Sequence, residues 1–396
     1  MSFELTDFLV SLAKPECLKK YSHDPEAFMS ESRLSEQQKQ AIRDGNLYRI
    51  RRLSAMEMTD SPHGQLLTRF YEEVDPEFKT NIDVGPQNVD DDTLINNDDS
   101  ADTALGDDIA EFTEKYSAGP YFDHLFDSSW TPSKKNQLVI VGSGINGANH
   151  LTSEAIAHIK NADKVLYCVA DLVVERYLLY LNRNAEDLYV LYGDAKPRRQ
   201  TYEQMALKML ESVRQYERVC AVFYGHPGIF VWPSFKAIQC ARKQGYLAYM
   251  LPAVSALDCL FADVGFDPSR HSCQIIEATD LLVRSRKPDN TAAVVIFQVG
   301  CVGDLGWYSK GYDHRNVPVL EEYLISHYGP DYEVVLYEAA QYPVCKATVQ
   351  KVKLSLLSQA RVSGITTLYI PPKELPPTRG EMLTRLGLKT LAPVTA

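Results

Sequence analysis

The alternation of apolar and polar positions divides the chain into an N-terminal helical stretch, an acidic stretch and a long α/β stretch. In the first stretch, four apolar residues recur at helical spacing: Leu5, Phe8, Leu9 and Leu12. A capping-box pattern at Ser35 and Gln38 predicts the start of a later helix, and Gly45 predicts its end. We expect a small all-α unit over residues 1–58. Because so short a stretch buries only a marginal core, we also expect it to pack on another surface.

The stretch that follows has the composition of a linker. Between Asp90 and Glu111 there are nine acidic residues and no lysine or arginine. So polar and charged a composition cannot offset the entropy cost of ordering the chain. Residues 59–133 are therefore predicted to form an acidic, largely flexible linker.

From residue 137 onward, short apolar runs alternate with helical patterns. In a first α/β portion the predicted strands cover 138–141, 164–169, 188–192 and 219–223, and the predicted helices cover 151–159, 173–181 and 202–216. In a second portion the predicted strands cover 294–299, 334–337 and 366–370, and the predicted helices cover 319–328 and 349–359. We expect a mostly parallel sheet in the first portion, a mixed sheet in the second, and a ligand at the carboxyl ends of the parallel strands.

Composition and charge narrow the classes of function. At 396 residues the chain is longer than one hydrophobic core usually serves, so at least two domains are expected. A net charge of −11 argues against a nucleic acid or an anionic membrane as partner. The cysteines form no CxxC pair and the histidines no HxxxH pair, so we predict neither disulfides nor a metal site. The sequence has no signal-like N-terminus and no apolar run long enough to cross a bilayer, so the predicted location is cytoplasmic.

A glycine pattern follows the first predicted strand: Gly142, Gly144 and Gly147. This Gly-x-Gly-x-x-Gly spacing is the dinucleotide fingerprint, but the same glycines serve any adenosyl cofactor that the backbone must approach closely. A nicotinamide enzyme would use Asp171 as its ribose ligand. Further along, the apolar run over 219–231 is interrupted by Tyr-Gly-His-Pro-Gly, which would place Tyr224 and His226 at the mouth of a sheet.

The loop over residues 187–202 brings phenols together with guanidinium groups. It holds Tyr192, Arg198 and Tyr202 near the end of a predicted strand. A guanidinium beside a phenol favours the ionised phenol, which could then accept a proton from a very weak acid. The same residues would suit a solvated loop with tyrosines packed at a strand end. Their position at the expected ligand end of the sheet favours the chemical interpretation.

Beyond these motifs, residues 138 to about 388 resemble the borosin peptide backbone α-N-methyltransferases, members of the tetrapyrrole-methylase-like class III methyltransferases. The resemblance is carried by these stretches in order: LVIVGSGI, KVLYCVAD, DLYVLYGDAKPRRQTYEQM, VFYGHPGIFV, MLPAVSALDCLFADVGFDPS, EATDLLVR, FQVGCVG and GITTLYIPPK. It implies a methyltransferase domain of two α/β portions over residues 134–372, with S-adenosylmethionine as cofactor, a peptide substrate and an interlocked homodimer. Residues 373–396 would form a short clasp-like helix and tail. Residues 1–58 are similar to the family's leader-like borosin-binding domain, which here comes first.

Carried over by motif, the resemblance implies a catalytic set of Tyr192, Arg198 and Tyr202. Besides Gly142 and Gly144, these positions fall on cofactor contacts of the family: Tyr224, His226, Ile229, Ala256, Gln298, Ala339, Thr366 and Thr367. A peptide nitrogen is a poor nucleophile because its lone pair is engaged in amide resonance. We therefore expect Tyr202 or Tyr192 to accept the amide proton and Arg198 to stabilise the oxyanion.

Several alternatives remain open on the sequence. The chain could methylate a small molecule or a tetrapyrrole, transfer a hydride with a nicotinamide cofactor, or bind a peptide without catalysis. The substrate peptide could lie within residues 55–130, which we favour, in the tail over 388–396, or on a separate precursor chain.

Overall fold

The computed structural model describes residues 4–74, 135–309 and 311–388. Most of the predicted linker, from residue 75, and most of the predicted tail, from residue 389, lie outside these described residues. The chain divides into two compact units. The first comprises Met1–Ala256, Leu305–Lys310 and Ala340–Lys346, and the second comprises Leu257–Asp304, Gly311–Ala339 and Ala347–Ala396. Across the described ranges, no helix is both long and apolar enough to cross a membrane.

A group of helices opens the described part of the first unit: α1 (Glu4–Ser11), α2 (Pro15–His23), α3 (Pro25–Ser30), α4 (Glu36–Arg43), α5 (Leu47–Glu57) and α6 (Pro62–Val74). The predicted capping box is confirmed, because the Ser35 side chain accepts from the backbone N–H of Gln38 and the Gln38 side chain accepts from that of Ser35. Gly45 follows the end of α4 at φ 58°, as predicted. Helix α6 carries the helical stretch beyond residue 58, where we expected the linker to begin. Its first residue is Pro62, which fits a first helical turn because no N–H is needed there.

The helices pack on the α/β part of the first unit, as their small predicted core requires. Their main apolar cluster, which includes Leu5, Leu12 and Ile50, also takes in Val173 and Tyr342, with Cys345 packed against it. A second cluster joins three residues from the end of α5 and from α6 to the α/β part: Ala55, Met58 and Tyr71, which pack with Leu172. The expectation that the helical unit packs on another surface is therefore confirmed.

The first unit contains a parallel sheet of five strands in the order β3-β2-β4-β1-β5. The strands are β1 (Gln137–Gly142), β2 (Lys164–Cys168), β3 (Ala185–Asp187), β4 (Arg218–Phe223) and β5 (Leu247–Met250). The helices beside them are α7 (Ser153–Asn161), α8 (Leu172–Leu181), α9 (Arg198–Gln215) and α10 (Trp232–Lys243). One apolar cluster packs the sheet against α9 and α10, and another packs it against α7 and α8. Because the strands are parallel, their carboxyl ends share one edge, where the connecting loops can form a site.

The second unit contains a mixed sheet in the order β6-β7-β10-β8-β9, as predicted for the second α/β portion. Its strands are β6 (Cys273–Glu277), β7 (Ala293–Phe297), β8 (Glu333–Glu338), β9 (Thr348–Lys353) and β10 (Thr367–Ile370). The remaining helices are α11 (Ala256–Val264), α12 (Pro268–His271), α13 (Ala278–Val283), α14 (Val317–Tyr328) and α15 (Gly380–Arg385). Only β6 and β7 pair in parallel among the described strands of this sheet, so the predicted mixed character is confirmed.

Three sequence predictions of elements are wrong in detail. The strand expected over 188–192 is β3, three residues earlier, because the Asp187 side chain accepts from the N–H of Tyr189 at 2.7 Å and begins a 3₁₀ turn there. The helix expected from residue 202 already begins at Arg198. The helix expected over 349–359 is instead β9, paired antiparallel with β8, followed by the 3₁₀ turn Leu354–Gln359. In that stretch, pairing with β8 overrides the helical pattern.

Candidate functional site

The structure brings the side chains of Tyr192, Arg198 and Tyr202 together beyond β3. Tyr192 follows the 3₁₀ turn Tyr189–Leu191, and the other two lie in the first turns of α9. Tyr192 and Tyr202 pack against the same apolar cluster under the sheet. Both Tyr202 and Arg198 act electrostatically on the Tyr192 hydroxyl, so the three polar ends share one location. The three residues therefore lie near one another, while their action as a catalytic set stays a prediction.

The electrostatic state of Tyr192 differs from the one we expected. Burial, with the neighbouring Tyr202 phenol, raises the pKa of Tyr192 well above its usual value, and Arg198 opposes this shift without overcoming it. Arg198 does lower the pKa of Tyr192, as expected of a guanidinium beside a phenol, but removal from water raises it by more. A phenol in this state stays protonated and is suited to donate a hydrogen bond.

Trp307 forms one wall of this location, and the sequence analysis missed it. Its ring stacks on that of Tyr192 with centroids 5.4 Å apart and planes at 30°. Backbone pairing holds it there, because the N–H of Ala195 donates to the Trp307 carbonyl at 2.9 Å and the N–H of Trp307 donates to the Lys196 carbonyl at 3.2 Å. Trp307 comes from a segment far along the chain, and nothing in its local sequence marks it as a partner of the tyrosine loop.

Tyr189 forms a second wall. Its ring lies 5.1 Å from that of Tyr192 and 6.0 Å from that of Trp307, the latter edge to face. Burial raises the pKa of Tyr189 to about 12. The rings of Tyr189, Tyr192 and Trp307 thus form a mostly apolar wall with phenol hydroxyls as its polar groups.

Asp171 is the residue that the nicotinamide alternative assigns as ribose ligand. Its side chain makes hydrogen bonds within the protein instead. It is 4% exposed, and its Oδ1 accepts from the N–H groups of Val173 and Val174 at 2.9 and 3.1 Å, which caps α8. Its other oxygen accepts from the hydroxyl of Tyr342. Beside it, Arg51 of α5 donates to the Ala170 carbonyl at 2.9 Å. With both carboxylate oxygens bonded within the protein, the hydride-transfer alternative loses its proposed ribose ligand.

Gly142 and Gly144 lie where β1 meets the loop after β4. Gly144, at φ 70°, pairs with Gly225 through mutual backbone hydrogen bonds of 3.2 and 3.1 Å. A Cβ on Gly142 would lie 2.1 Å from the Gly225 carbonyl oxygen and 2.6 Å from the Ala253 Cβ. Protein atoms therefore fill the space beside these glycines. Gly142 is required by the close approach of the loop after β4, whereas Gly144 is required by its positive φ and by His150, whose Cβ would lie 2.0 Å from an added Cβ.

The 224–229 loop offers groups that fit a nucleoside-type cofactor. His226 Nδ1 accepts from the Gly228 N–H at 2.9 Å, which leaves Nε2 as the protonated donor of that ring. Tyr224 follows β4 and its N–H donates to the Cys168 carbonyl at 3.0 Å, while Ile229 lies further along the loop. Ala256 begins α11, after β5. These residues follow β4 and β5, the two strands that flank β1, at the carboxyl edge of the first sheet, which is the edge predicted for the ligand.

The four other predicted cofactor residues share one end of the second sheet. Gln298 follows β7 and Ala339 follows β8, while Thr366 and Thr367 lie at the start of β10. Since β10 runs antiparallel to both neighbours, its start lies beside their ends. Gln298 has φ 61° and ψ 36°, a left-handed conformation that is strained for a residue with a side chain and is frequent at functional sites. The Thr366 hydroxyl accepts from the Ser363 N–H at 2.7 Å.

We predict that Gly142→Ala strongly destabilises the first unit. The added methyl group meets a backbone oxygen and a packed methyl group, neither of which can rotate away. The expected loss is about 3 kcal/mol of unfolding free energy, at the upper end for overpacking. Urea unfolding monitored by circular dichroism measures it. The control is Gly380→Ala, because a Cβ at Gly380 meets no atom within 4 Å; equal stability of the two variants would contradict this packing argument.

Two family models match the chain. One, described as tetrapyrrole (corrin/porphyrin) methylases, matches residues 137–355. The other, described as the LigA subunit of the aromatic-ring-opening dioxygenase LigAB, matches residues 5–55, within the N-terminal helices.

Within the described ranges, no group of three or more His, Cys, Asp or Glu side chains is arranged to hold a metal ion. The fold and the location of the site therefore define an α/β protein of the tetrapyrrole methylase class.

Curated relatives narrow the family. A type III borosin cyclic peptide precursor with methyltransferase from Anomoporia bombycina is 46% identical over 64% of this chain and 30% of its own length. The omphalotin A precursor with methyltransferase from Omphalotus olearius is 42% identical over 65% of this chain and 63% of its own length. A type I borosin precursor with methyltransferase from Coprinopsis marcescibilis is 42% identical over 65% of this chain and 67% of its own length. The chain belongs to the tetrapyrrole methylase family and, within it, to the borosin methyltransferases. Family membership implies use of a methyl donor. The chain spans less than two thirds of the length of the Anomoporia and Omphalotus relatives.

Solved structures also match the chain, at low sequence identity. Uroporphyrin-III-C-methyltransferase from Thermus thermophilus matches with 17% identity and a TM-score of 0.44, over 63% of this chain and all of that one. Diphthine synthase matches with 14% identity and a TM-score of 0.43, over 61% of this chain and 91% of that one. Likenesses at this level carry no statement about the substrate.

Proposed function

We propose that this chain is an S-adenosylmethionine-dependent methyltransferase that methylates backbone amide nitrogens of a ribosomally made peptide, in cis on its own chain. The observation that carries the proposal is the packing of half-buried Tyr192 and Tyr202 against one cluster, with Arg198 beside them, at the carboxyl edge of a parallel sheet. The relatives support the choice of substrate, since their names combine a methyltransferase with a ribosomally synthesised peptide precursor.

Each unit carries residues that the family resemblance implies as cofactor contacts. In the first, the His226 Nε2–H donor, the Tyr224 ring, Ile229, Ala256 and the backbone of the loop held by Gly142 and Gly144 would contact S-adenosylmethionine. In the second unit the proposed contacts are Gln298, Ala339, Thr366 and Thr367. When bound, the cofactor supplies an electrophilic methyl group on a positively charged sulfur.

The reaction demands two things of the protein. The amide proton must be removed, and the negative charge that then gathers on the peptide carbonyl oxygen must be stabilised. Tyr192, kept protonated by burial, is assigned the second task as a hydrogen-bond donor to that oxygen, together with the Arg198 guanidinium. Tyr202, as a phenolate stabilised by the Arg198 guanidinium, is then the proposed proton acceptor and becomes a neutral phenol. Tyr189 and Trp307 exclude water from one side, which strengthens each of these interactions.

The position of the substrate segment can be narrowed. Of the region favoured from the sequence, residues 55–74 lie in and between α5 and α6, which contribute buried side chains to the fold. The proposed substrate segment is therefore within 75–130, outside the described residues, and the tail remains the alternative on this chain. The homodimer and the cytoplasmic location predicted from the sequence remain predictions.

Intact-mass analysis of the purified protein, followed by peptide mapping, tests the proposal. We expect a ladder of added methyl groups localised to one segment, and no ladder in Arg198→Ala prepared in parallel. An unmodified chain that retains S-adenosylmethionine would contradict methylation in cis and indicate a substrate on another molecule. An unmodified chain without bound S-adenosylmethionine, and unable to take it up, would contradict the cofactor assignment as well.

A further inference from the structure

A buried contact joins α6 of the N-terminal helices to α8 beside the sheet. His63 Nδ1 lies 3.1 Å from Glu175 Oε2, and the two residues are 2% and 0% exposed. Buried polar side chains at both ends of such a contact are costly unless they serve a defined arrangement. From the sequence, His63 fell in the predicted linker and had no assigned role.

The His63 ring also begins a chain of ring contacts that ends at the proposed catalytic tyrosine. It stacks on Tyr189 with centroids 4.6 Å apart and planes at 26°. Tyr189 in turn contacts Tyr192, which stacks on Trp307. The backbone of Tyr189 is fixed separately, through its N–H bond to Asp187. The position of the Tyr189 ring therefore depends on the neighbour that packs on its face, and His63 is such a neighbour.

Two buried carboxylates, those of Glu175 and Asp187, lie near the His63 ring. Asp187 Oδ2 is buried without a hydrogen-bond partner, while the Glu175 carboxylate lies beside the Tyr167 hydroxyl. Burial raises the pKa of Asp187 to about 6; the Glu175 carboxylate adds to this shift, and His63 opposes it. The Glu175 charge also raises the pKa of the nearby Tyr167 hydroxyl on β2, where burial is the larger cause. His63 is thus the group of α6 that faces these acids, so α6 contributes both the ring on Tyr189 and the polar partner of Glu175.

We infer that His63 is a positioning residue for methyl transfer, whose ring holds Tyr189 and through it Tyr192. The inference rests on the proposed function for its effect on rate. It gives the N-terminal helices a role in the reaction, because the packing of α6 against α8 completes the geometry of the tyrosine site. A misplaced catalytic group costs rate even when the cofactor still binds.

Two variants separate the ring from the polar contact. His63→Gln keeps an amide N–H donor for Glu175 but removes the ring from Tyr189. The double variant His63→Phe with Glu175→Met keeps a ring and removes the buried carboxylate that would otherwise lose its partner. Gln65→Ala, an exposed position on the same helix, is the matched control.

The measurement is the rate of methyl addition against S-adenosylmethionine concentration, followed by intact mass with a deuterated methyl group. His63→Gln should lower the maximal rate by about tenfold or more with the half-saturating concentration changed by less than about twofold. The double variant should recover most of the maximal rate, and the control should match the wild type. A wild-type maximal rate in His63→Gln, or a double variant as slow as His63→Gln, would overturn the inference while leaving the proposed function standing.

A wild-type protein that adds no methyl groups would instead overturn the proposed function. Near-ultraviolet circular dichroism then decides the positioning role, because it reports the stacked rings directly. His63→Gln should differ from both the wild type and the double variant in the tyrosine and tryptophan bands. Identical spectra for all three would show that the His63 ring does not position Tyr189.

Discussion

Replacing Tyr202 by phenylalanine should slow methyl addition by about 10²- to 10⁴-fold while leaving the fold intact, the range expected for loss of a general base. The substitution removes only the hydroxyl, so the ring still packs against the apolar cluster under the sheet. Without the phenolic oxygen the amide proton has no acceptor beside Arg198, and Tyr192 is held protonated by its burial. Time-resolved intact mass on protein harvested early after induction measures the rate.

The same change at Tyr216 provides the control for Tyr202→Phe. Tyr216 packs against the same cluster but caps the far end of α9, away from Tyr192. Tyr216→Phe should therefore methylate at the native rate. If Tyr202→Phe also did so, Tyr202 would not be the proton acceptor, and the assignment of roles within the tyrosine set would be wrong.

Replacing Arg51 by methionine should lower the unfolding free energy of the first unit by about 3 kcal/mol or more, as expected when one member of a buried charged group is removed. Although burial opposes its charge, Tyr342 and the Asp171 carboxylate raise the pKa of Arg51 above its usual value. Methionine fills a similar volume but leaves Asp171 without a compensating cation and the Ala170 carbonyl without its 2.9 Å donor. Urea unfolding followed by far-ultraviolet circular dichroism measures the loss.

Arg49 offers the matched control on the same helix. It pairs with Asp44 at 2.9 Å, but its side chain is 24% exposed and that of Asp44 37%. Surface pairs of this kind contribute less than about 1 kcal/mol, so Arg49→Met should change stability little. Equal losses for the two variants would show that the charge on Arg51 adds nothing beyond its packing.

The parts of the fold that could be predicted are those that a local pattern determines. Strands β1, β2 and β4 are nearly unbroken apolar runs because both faces of a central parallel strand are buried, and the capping box lies within four consecutive residues. The parts that could not be predicted depend on distant partners. Strand β9 carries polar residues along most of its length and is a strand only because β8 pairs with it.

The candidate site divides in the same way. Tyr192, Arg198 and Tyr202 lie within one loop and the start of one helix, so their convergence could be read from spacing and from the family resemblance. Trp307 reaches Tyr192 only through backbone pairing with residues about a hundred positions earlier, and His63 reaches Tyr189 only once α6 has docked. The protonation of Tyr192 was also beyond sequence analysis, because the balance between a cation and burial depends on how much water the fold removes.

The packing of the N-terminal helices also makes one cysteine a chemical probe of their opening. Cys345 lies against their apolar cluster, and burial raises the pKa of its thiol to about 12. Since the thiolate is the reactive form, alkylating reagents should modify the half-buried Cys345 more slowly while the helices are docked than while they are lifted from it. The rate of its alkylation therefore reports how often the docked helices open, and comparing that rate before and after methyl addition would reveal whether methylation loosens their packing.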